Sequence, residues 1–414
     1  MTRSFAVAAL PAAPAWWGLS TIGVSVFAAL AVVGHPVGLG LTVALLGVIA
    51  TGIAVTKQRD RWTLAWWSLA ALLALMPALR TAGWVVALSV LGTLALAVAA
   101  AGRAVTWRRA FAAPGRWLGM LVPAPLVVVA LAGRGTSNAV LRGLIGATLL
   151  VGLFGALFSA SDAAFGSLSS QVVPDLDHAR GRLALGVFAA AVCGALALVA
   201  VMPAAEPGAA PPPVLGRVET VIALGALLAL FAAFVAVQAA ALFGGDAFVR
   251  RTAGLTYAQY ARSGFVLLLV VAGLTLGVVA AAARWARADR RLLVALCVLT
   301  LVILASAWHR LGLYTDAYGA TRAREFAAWS ILWLAGLFAL VMARQGVPRA
   351  VITWSAVLGV AFGLSDPDAR IAANSDDRVY RQSLSEDAAG VLGRCVDRGG
   401  GLWSVTLTEM RHPC

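Results

Sequence analysis

The sequence predicts an all-α, polytopic integral membrane protein, and its composition and its long apolar runs both point to that class. Apolar residues make up 61% of the 414-residue chain and charged residues only 12%, with a mean hydropathy of +0.89. So few polar side chains cannot cover a soluble globule of this size. A net charge of +14 would suit nucleic-acid binding in a soluble protein. Here the arginines lie between apolar runs, which indicates basic loops on the cytoplasmic side of a membrane and no nucleic-acid partner.

Eleven apolar runs are long enough, or nearly long enough, to cross about 30 Å of hydrocarbon as helices. They lie at 17–33, 38–55, 62–79, 82–101, 141–160, 183–202, 218–243, 263–283, 292–308, 326–343 and 350–364. A twelfth run, 118–132, would reach only ~22 Å as a helix and contains Pro123 and Pro125. We therefore interpret this run as interfacial or re-entrant.

Counting basic residues on each side of the membrane leaves eleven and twelve spans both open. We favour eleven, because that number joins the arginines of 103–142 into one cytoplasmic stretch and leaves the loop with Asp162, Asp175 and Asp177 outside. The choice predicts a multi-pass protein of the cell membrane, with a cytoplasmic N-terminus and a C-terminal tail outside.

The chain divides into a transmembrane helical domain, 1–364, and a polar C-terminal tail, 365–414, which holds eight of the 18 acidic residues. Fifty residues bury little surface alone, so we expect the tail to dock on the membrane domain. Ser383 and Glu386 fit a capping box for a short helix that ends near Gly393. Cys395 and Cys414 are a candidate disulfide if the tail lies in an oxidising compartment.

Polar side chains are concentrated in two segments, 256–265 and 310–325, which hold four of the five tyrosines. Both segments fall on the same side of the membrane with eleven or twelve spans. We therefore predict one ligand-binding cluster formed by Tyr260, Arg262, Tyr314, Asp316 and Arg322. The alternative is an aromatic belt at the membrane interface, with a short-range pair from Arg322 to the glutamate three residues later that contributes only ~0.5 kcal/mol.

An ordered series of residues from the middle of the chain to the tail carries a family resemblance. The series consists of Ser161-Asp162, Glu219, Gln238, Phe243-Gly244-Gly245, Thr256-Tyr257-Ala258, Tyr260-Ala261-Arg262, Gly264-Phe265, Arg310, Leu313-Tyr314, the stretch 316–319, Thr321-Arg322, Asp366-Pro367-Asp368-Ala369, Ile371-Ala372 and Asn374. Over about 138–414 the chain resembles an uncharacterised bacterial multi-pass membrane family catalogued as a domain of unknown function. One departure is Asp366, where an asparagine is expected. The resemblance implies topology and candidate positions, and no activity.

No zinc-protease, Cys-x-x-Cys, phosphate-loop or Gly-x-Ser-x-Gly motif occurs in the sequence, so we assign no catalytic residue, metal or cofactor. We favour transport or handling of a small anionic or lipid-like solute, with Arg262 and Arg322 binding its charge. The alternatives are a membrane scaffold or signalling partner without transport, and a membrane enzyme acting on a lipid-linked substrate. Membrane lipids are the expected partners. A cluster satisfied by internal hydrogen bonds would favour the scaffold; a solvent-connected cavity lined by the arginines would favour transport.

Overall fold

The computed structural model describes residues 15–56, 60–104, 107–121, 124, 176–201, 220–222, 224–236, 265–285, 289–343, 348–375, 377–396 and 402–413. Over these ranges the regular secondary structure is helical, and the isolated bridge between Val396 and Pro413 is the nearest approach to a strand. The all-α prediction is confirmed for this part of the chain.

The helices are α1 (Ala15–Val32), α2 (Leu39–Val55), α3 (Arg61–Ala74), α4 (Met76–Leu79), α5 (Gly83–Ala101), α6 (Trp107–Leu121), α7 (Leu176–Val201), α8 (Thr220–Ala236), α9 (Phe265–Trp285), α10 (Arg290–Tyr318), α11 (Arg322–Met342), α12 (Pro348–Leu364), α13 (Pro367–Ala373), α14 (Arg378–Gln382), α15 (Ala389–Leu392) and α16 (Leu407–Arg411). Short 3-10 helices lie at Glu386–Ala388 and Leu402–Ser404.

Within the described ranges, four helical segments are long and apolar enough to cross a membrane. They are 61–79, which combines α3 and α4, and the single helices α5, α10 and α11. The pair α12 and α13, bent by 51°, makes a fifth if it is one span. Ten of the eleven predicted runs coincide with a described helix, several of them shorter apolar helices. The run 141–160 lies outside the described residues. The structure thus supports a helical protein with several spans, and the number eleven stays a prediction.

The first of two compact units comprises residues 1–205, 359–366 and 385–414. In it α1 packs on α2 and α7, and α3 packs on α5. Trp17, fully buried near the start of α1, donates its indole N–H to the carbonyl of Thr51 near the end of α2 at 2.9 Å. At the opposite end of α2, the backbone N–H of Leu39 donates to the carbonyl of Val405 at 3.2 Å. This contact joins the second half of the tail to the α1–α2 loop.

The second unit comprises residues 206–358 and 367–384. Its core is formed by α9, α10 and α11 around Phe338, which is fully buried. Gly336 permits a close approach between α11 and α12, since a Cβ atom there would lie 2.1 Å from the indole of Trp354. The first helix of the tail, α13, packs on α11.

Two local expectations differ from the structure. The predicted run 292–308 is shorter than the helix that contains it, because α10 continues to Tyr318 and ends at Gly319, whose φ of 73° requires a residue that tolerates the left-handed region. The capping box was misplaced: Ser385 precedes the first helical turn and Ser383 bonds Tyr380 instead, although this helical segment does end at Gly393. Most of 118–132, and all of 256–264, lies outside the described residues.

Candidate functional site

Arg322 and Asp368 form the central ion pair of the second unit. Arg322 is the first residue of α11, after the N-cap Thr321, and Asp368 lies in the first turn of α13. The guanidinium donates from Nε and Nη2 to the two carboxylate oxygens at 3.1 and 2.5 Å. The Asp368 side chain is completely buried, whereas the Arg322 side chain is 38% exposed. This bidentate geometry is the strongest form of an arginine–carboxylate contact.

Three further contacts fasten the start of α11 to the tail. The backbone N–H of Arg322 donates to the hydroxyl of Tyr380 at 2.9 Å. Arg370 pairs with Glu325 at 2.9 Å. The N–H of Ala320 donates to the carbonyl at position 374 at 2.8 Å. Together with the central ion pair, these contacts form what we call the Arg322 clamp.

Arg324 lies against the end of α10. Its guanidinium carbon is 4.0 Å from the ring centroid of Tyr314, and the rings of Tyr314 and Tyr318 are 5.1 Å apart. The same guanidinium donates to the carbonyls of Tyr318, at 2.9 Å, and Gly319. A cation stacked on an aromatic ring and placed at the C-terminal end of a helix is stabilised by both the ring and the helix dipole.

The first unit has an arginine clamp of its own, centred on Arg80. This side chain follows α4 and is only 10% exposed. It donates from Nε to the carbonyl of Gly363 at 2.8 Å, from Nη2 to the carbonyl of Leu364 at 2.7 Å and from Nη1 to Asp366 at 2.7 Å. Arg80 therefore serves the last carbonyls of α12 and the carboxylate that follows them, groups that the helix itself leaves without partners.

Asp387 fastens the second half of the tail to the start of α5. Its carboxylate accepts hydrogen bonds from the backbone N–H groups of Thr81 at 2.8 Å and Ala82 at 2.9 Å, and from the hydroxyl of Thr408 at 3.0 Å. Asp387 is 7% exposed. Ala82, the N-cap residue of α5, has no side chain that could cap the helix. The carboxylate, 305 positions away along the chain, thus accepts the N–H of the N-cap residue, a donor that has no partner within the helix.

The structure describes three members of the predicted ligand cluster, Tyr314, Asp316 and Arg322. Arg322 binds Asp368, Tyr314 contacts Arg324, and Asp316 is an exposed residue near the end of α10. Tyr260 and Arg262 lie outside the described residues, so the single cluster stays a prediction. A cross-linking measurement that places the Cβ atoms of Arg262 and Asp316 more than ~12 Å apart would contradict it, because an arginine could not then reach the carboxylate.

Arg80, Asp387 and Tyr380 were missed as structural anchors by the sequence reasoning. The sequence does contain a signal for the role of Arg80. Residues 61–161 contain no acidic residue, and Arg80 is an isolated charge between two apolar runs. Such a charge requires an acceptor from a distant segment. Nothing local to Asp387 or Tyr380 indicates which backbone group each one meets.

Cys395 is disulfide-bonded, whereas Cys193 and Cys297 are free and buried. The backbone N–H of Val396 donates to the carbonyl of His412 at 2.7 Å, which brings the chain next to Cys395 close to the C-terminal end. Cys414 lies outside the described residues, so its pairing with Cys395 remains a prediction.

In the described part of the chain, no group of three or more His, Cys, Asp or Glu residues is arranged to hold a metal ion.

Helices of membrane-spanning length, closed at their ends by arginine clamps, define a helical protein of the multi-pass membrane class. The chain belongs to the family described as a domain of unknown function, DUF4153, whose sequence model matches residues 67–395. The match confirms the resemblance and begins well before residue 138, where we had expected it to start. Neither a curated protein nor a solved structure matches the chain significantly.

Proposed function

We propose that this protein is a scaffold of the bacterial cell membrane, in which the C-terminal tail is fastened to the membrane helices and presents a binding surface to a partner protein. The observation that carries the proposal is the pairing of both clamp arginines with groups of the protein itself. Arg80 directs three N–H donors at protein acceptors, and Arg322 makes a bidentate pair with a fully buried carboxylate. Groups held in this way secure structure.

Binding of a solute to the Nε and Nη2 donors of Arg322 would need the pair with Asp368 to open. Removing the partner of a buried charge costs about 3–5 kcal/mol, and an anionic ligand would have to supply that energy before gaining any affinity. Transport or handling of a small anionic or lipid-like solute, which the sequence favoured, therefore needs a site other than the Arg322 clamp.

The proposed surface of the tail has apolar side chains that are exposed to solvent. Val391, Leu402 and Met410 are 44%, 65% and 62% exposed, and all three belong to the segment that Asp387 anchors. Exposed tryptophans and leucines on the membrane helices contact lipid, whereas exposed apolar side chains of a tail outside the bilayer face water. Exposed apolar residues there suit contact with another protein.

The proposed topology, with a cytoplasmic N-terminus and an outer tail, is supported by geometry within the first unit. Helix α1 is 18 residues long, about 27 Å. Tail residues contact the second half of α1 and the start of α2: the ring of Trp403 lies 5.2 Å from that of Phe27, and the N–H of Leu39 donates to the carbonyl of Val405. A tail at the end opposite the start of α1 requires an odd number of crossings. Eleven fits this requirement and twelve does not.

Reporter fusions after Leu364 test the topology, and we expect an exported reporter to be active there and a cytoplasmic reporter to be silent. The reverse result would contradict both the eleven spans and the outer tail.

Photo-cross-linking in intact cells then tests the scaffold. A cross-linking residue at Leu402 or Met410 should give a discrete protein adduct. The control position is Leu274 on α9, which is 66% exposed and should give lipid adducts. Lipid adducts alone from the tail would refute the scaffold.

The clamp itself is tested by comparing the variants Arg322→Gln and Asp368→Asn with their double variant. We expect each single change to destabilise the purified protein by about 3 kcal/mol, and the double change to cost less than the sum, because neither partner is then left alone. The control is Arg378→Gln, which removes an exposed arginine of α14 outside the clamp, so its effect should stay below about 1 kcal/mol. Normal stability of Arg322→Gln together with lost solute uptake would favour transport.

A further inference from the structure

The helix α6 combines basic and aromatic residues with a lack of acidic ones. It contains Arg108, Arg109 and Arg116, has tryptophans at positions 107 and 117, and follows the exposed Arg103. The sequence from 61 to 161 contains no aspartate or glutamate. A helix of this composition is typical of a membrane surface, where tryptophan lies at the level of the headgroups and arginine meets phosphate.

Contacts within the first unit place α6 at one end of the helices. Trp117 and Leu121 pack on a cluster that includes Trp17, near the start of α1, and Val55, the last residue of α2. At Gly102, the C-cap of α5, an added Cβ atom would lie 2.9 Å from the Cβ atom of Ala113. Because these contacts are with terminal turns of apolar helices, α6 lies at one end of α1, α2 and α5, where a bilayer around these helices would have its boundary.

The two faces of α6 differ in burial. Ala113, at 2% exposure, and the half-buried Trp117 face the protein, four residues apart on one side of the helix. Leu118, at 58% exposure, lies on the other side. Arg109 and Arg116 are both half-buried and seven residues apart, so they share one edge of the helix with about 10.5 Å between them along its axis. This edge borders the protein-facing side.

We propose that α6 and Arg103 form a binding surface for the headgroups of anionic glycerophospholipids in the leaflet at this end of the helices. The phosphodiester supplies the negative charge that the chain from 61 to 161 lacks, and Leu118 enters the acyl boundary. Each arginine near a charged membrane surface contributes about a five-fold increase in affinity. This surface is separate from the Arg322 clamp and does not depend on the scaffold proposal.

The test uses the purified full-length protein and measures bound phosphatidylglycerol and phosphatidylcholine by native mass spectrometry. The variant replaces Arg103 and Arg116 with glutamine. The control removes the same charge from the tail, at Arg378 and Arg411, both exposed. We expect the wild type and the control to prefer phosphatidylglycerol, and the test variant to bind it roughly twenty-fold more weakly, with phosphatidylcholine binding unchanged.

Three results would overturn the proposal: equal binding of the two lipids by the wild type, equal loss in the test variant and the control, or displacement of phosphatidylglycerol by an excess of inorganic phosphate. The last result would indicate a site for a free anion. A second variant with lysine at 103 and 116 keeps the charge and should retain at least most of the preference. If the glutamine variant fails to fold, the lysine variant decides. Loss of the phosphatidylglycerol preference in a folded lysine variant overturns the proposal. Retention of that preference, with an affinity for phosphatidylglycerol that falls as salt rises, supports it.

Discussion

Replacement of Asp387 by alanine should open the start of α5. The change removes the carboxylate that accepts from the N–H groups of Thr81 and Ala82. A hydrogen bond to a charged group contributes about 1.5–3 kcal/mol, and the carboxylate accepts two such bonds from the backbone here. These contributions overlap, so we expect a total of about 3 kcal/mol, which corresponds to roughly a hundred-fold change in an opening equilibrium.

Hydrogen exchange of the backbone amides at 81 and 82 measures this opening directly. Protection of a peptide that covers these residues should fall by about two orders of magnitude in Asp387→Ala. The matched control is Asp377→Ala. Asp377 also accepts from two backbone N–H groups, those of Val379 at 2.9 Å and Tyr380 at 3.1 Å, but it is exposed and caps only the short helix α14.

We expect the control to reduce protection of its own two amides by no more than about five-fold, because an exposed cap contributes about 1 kcal/mol or less. Unchanged protection at 81 and 82 in Asp387→Ala would refute the anchoring role of this carboxylate. An equal loss of protection in the two variants would show that burial and distance along the chain do not strengthen the hydrogen bonds of Asp387, which would also contradict its anchoring role.

Two further predictions concern packing and covalent structure. In a thermal unfolding assay, Gly336→Ala should lower stability by about 1–3 kcal/mol, because the added methyl group overlaps the indole ring that lies 2.1 Å from its position. The control is Gly273→Ala, which should be neutral or stabilising, since nothing lies within 4 Å of the added methyl group. Non-reducing mass mapping of protein from oxidising growth should find Cys395 joined to Cys414, and loop closure predicts a contribution of roughly 3 kcal/mol. Two free thiols would contradict the pairing and weaken the outer placement of the tail.

Much of the fold follows from hydrophobicity, which is a local property of the sequence. A window of about twenty apolar residues becomes a helix in lipid because each backbone group must find its partner within the segment. The limits of α5 and α11 could therefore be predicted to within a few residues, and the family resemblance needed only the order of the polar positions. The same locality explains why the predicted run ends before α10 does: hydropathy falls after residue 308, but helical hydrogen bonds continue until Gly319 ends the helix.

The partners of the polar side chains could not be predicted in this way. Arg322 had two acidic neighbours in its own segment, Asp316 and Glu325, yet it binds Asp368, and Arg80 binds a carboxylate 286 residues away. Several acceptors are chemically equivalent for a guanidinium, and only the packed helices decide which one lies within 3 Å. The sequence by itself thus determined the membrane class, most helices and the family. Tertiary structure alone decided that the arginines close helix ends against the tail, because that choice depends on distances between segments remote in sequence.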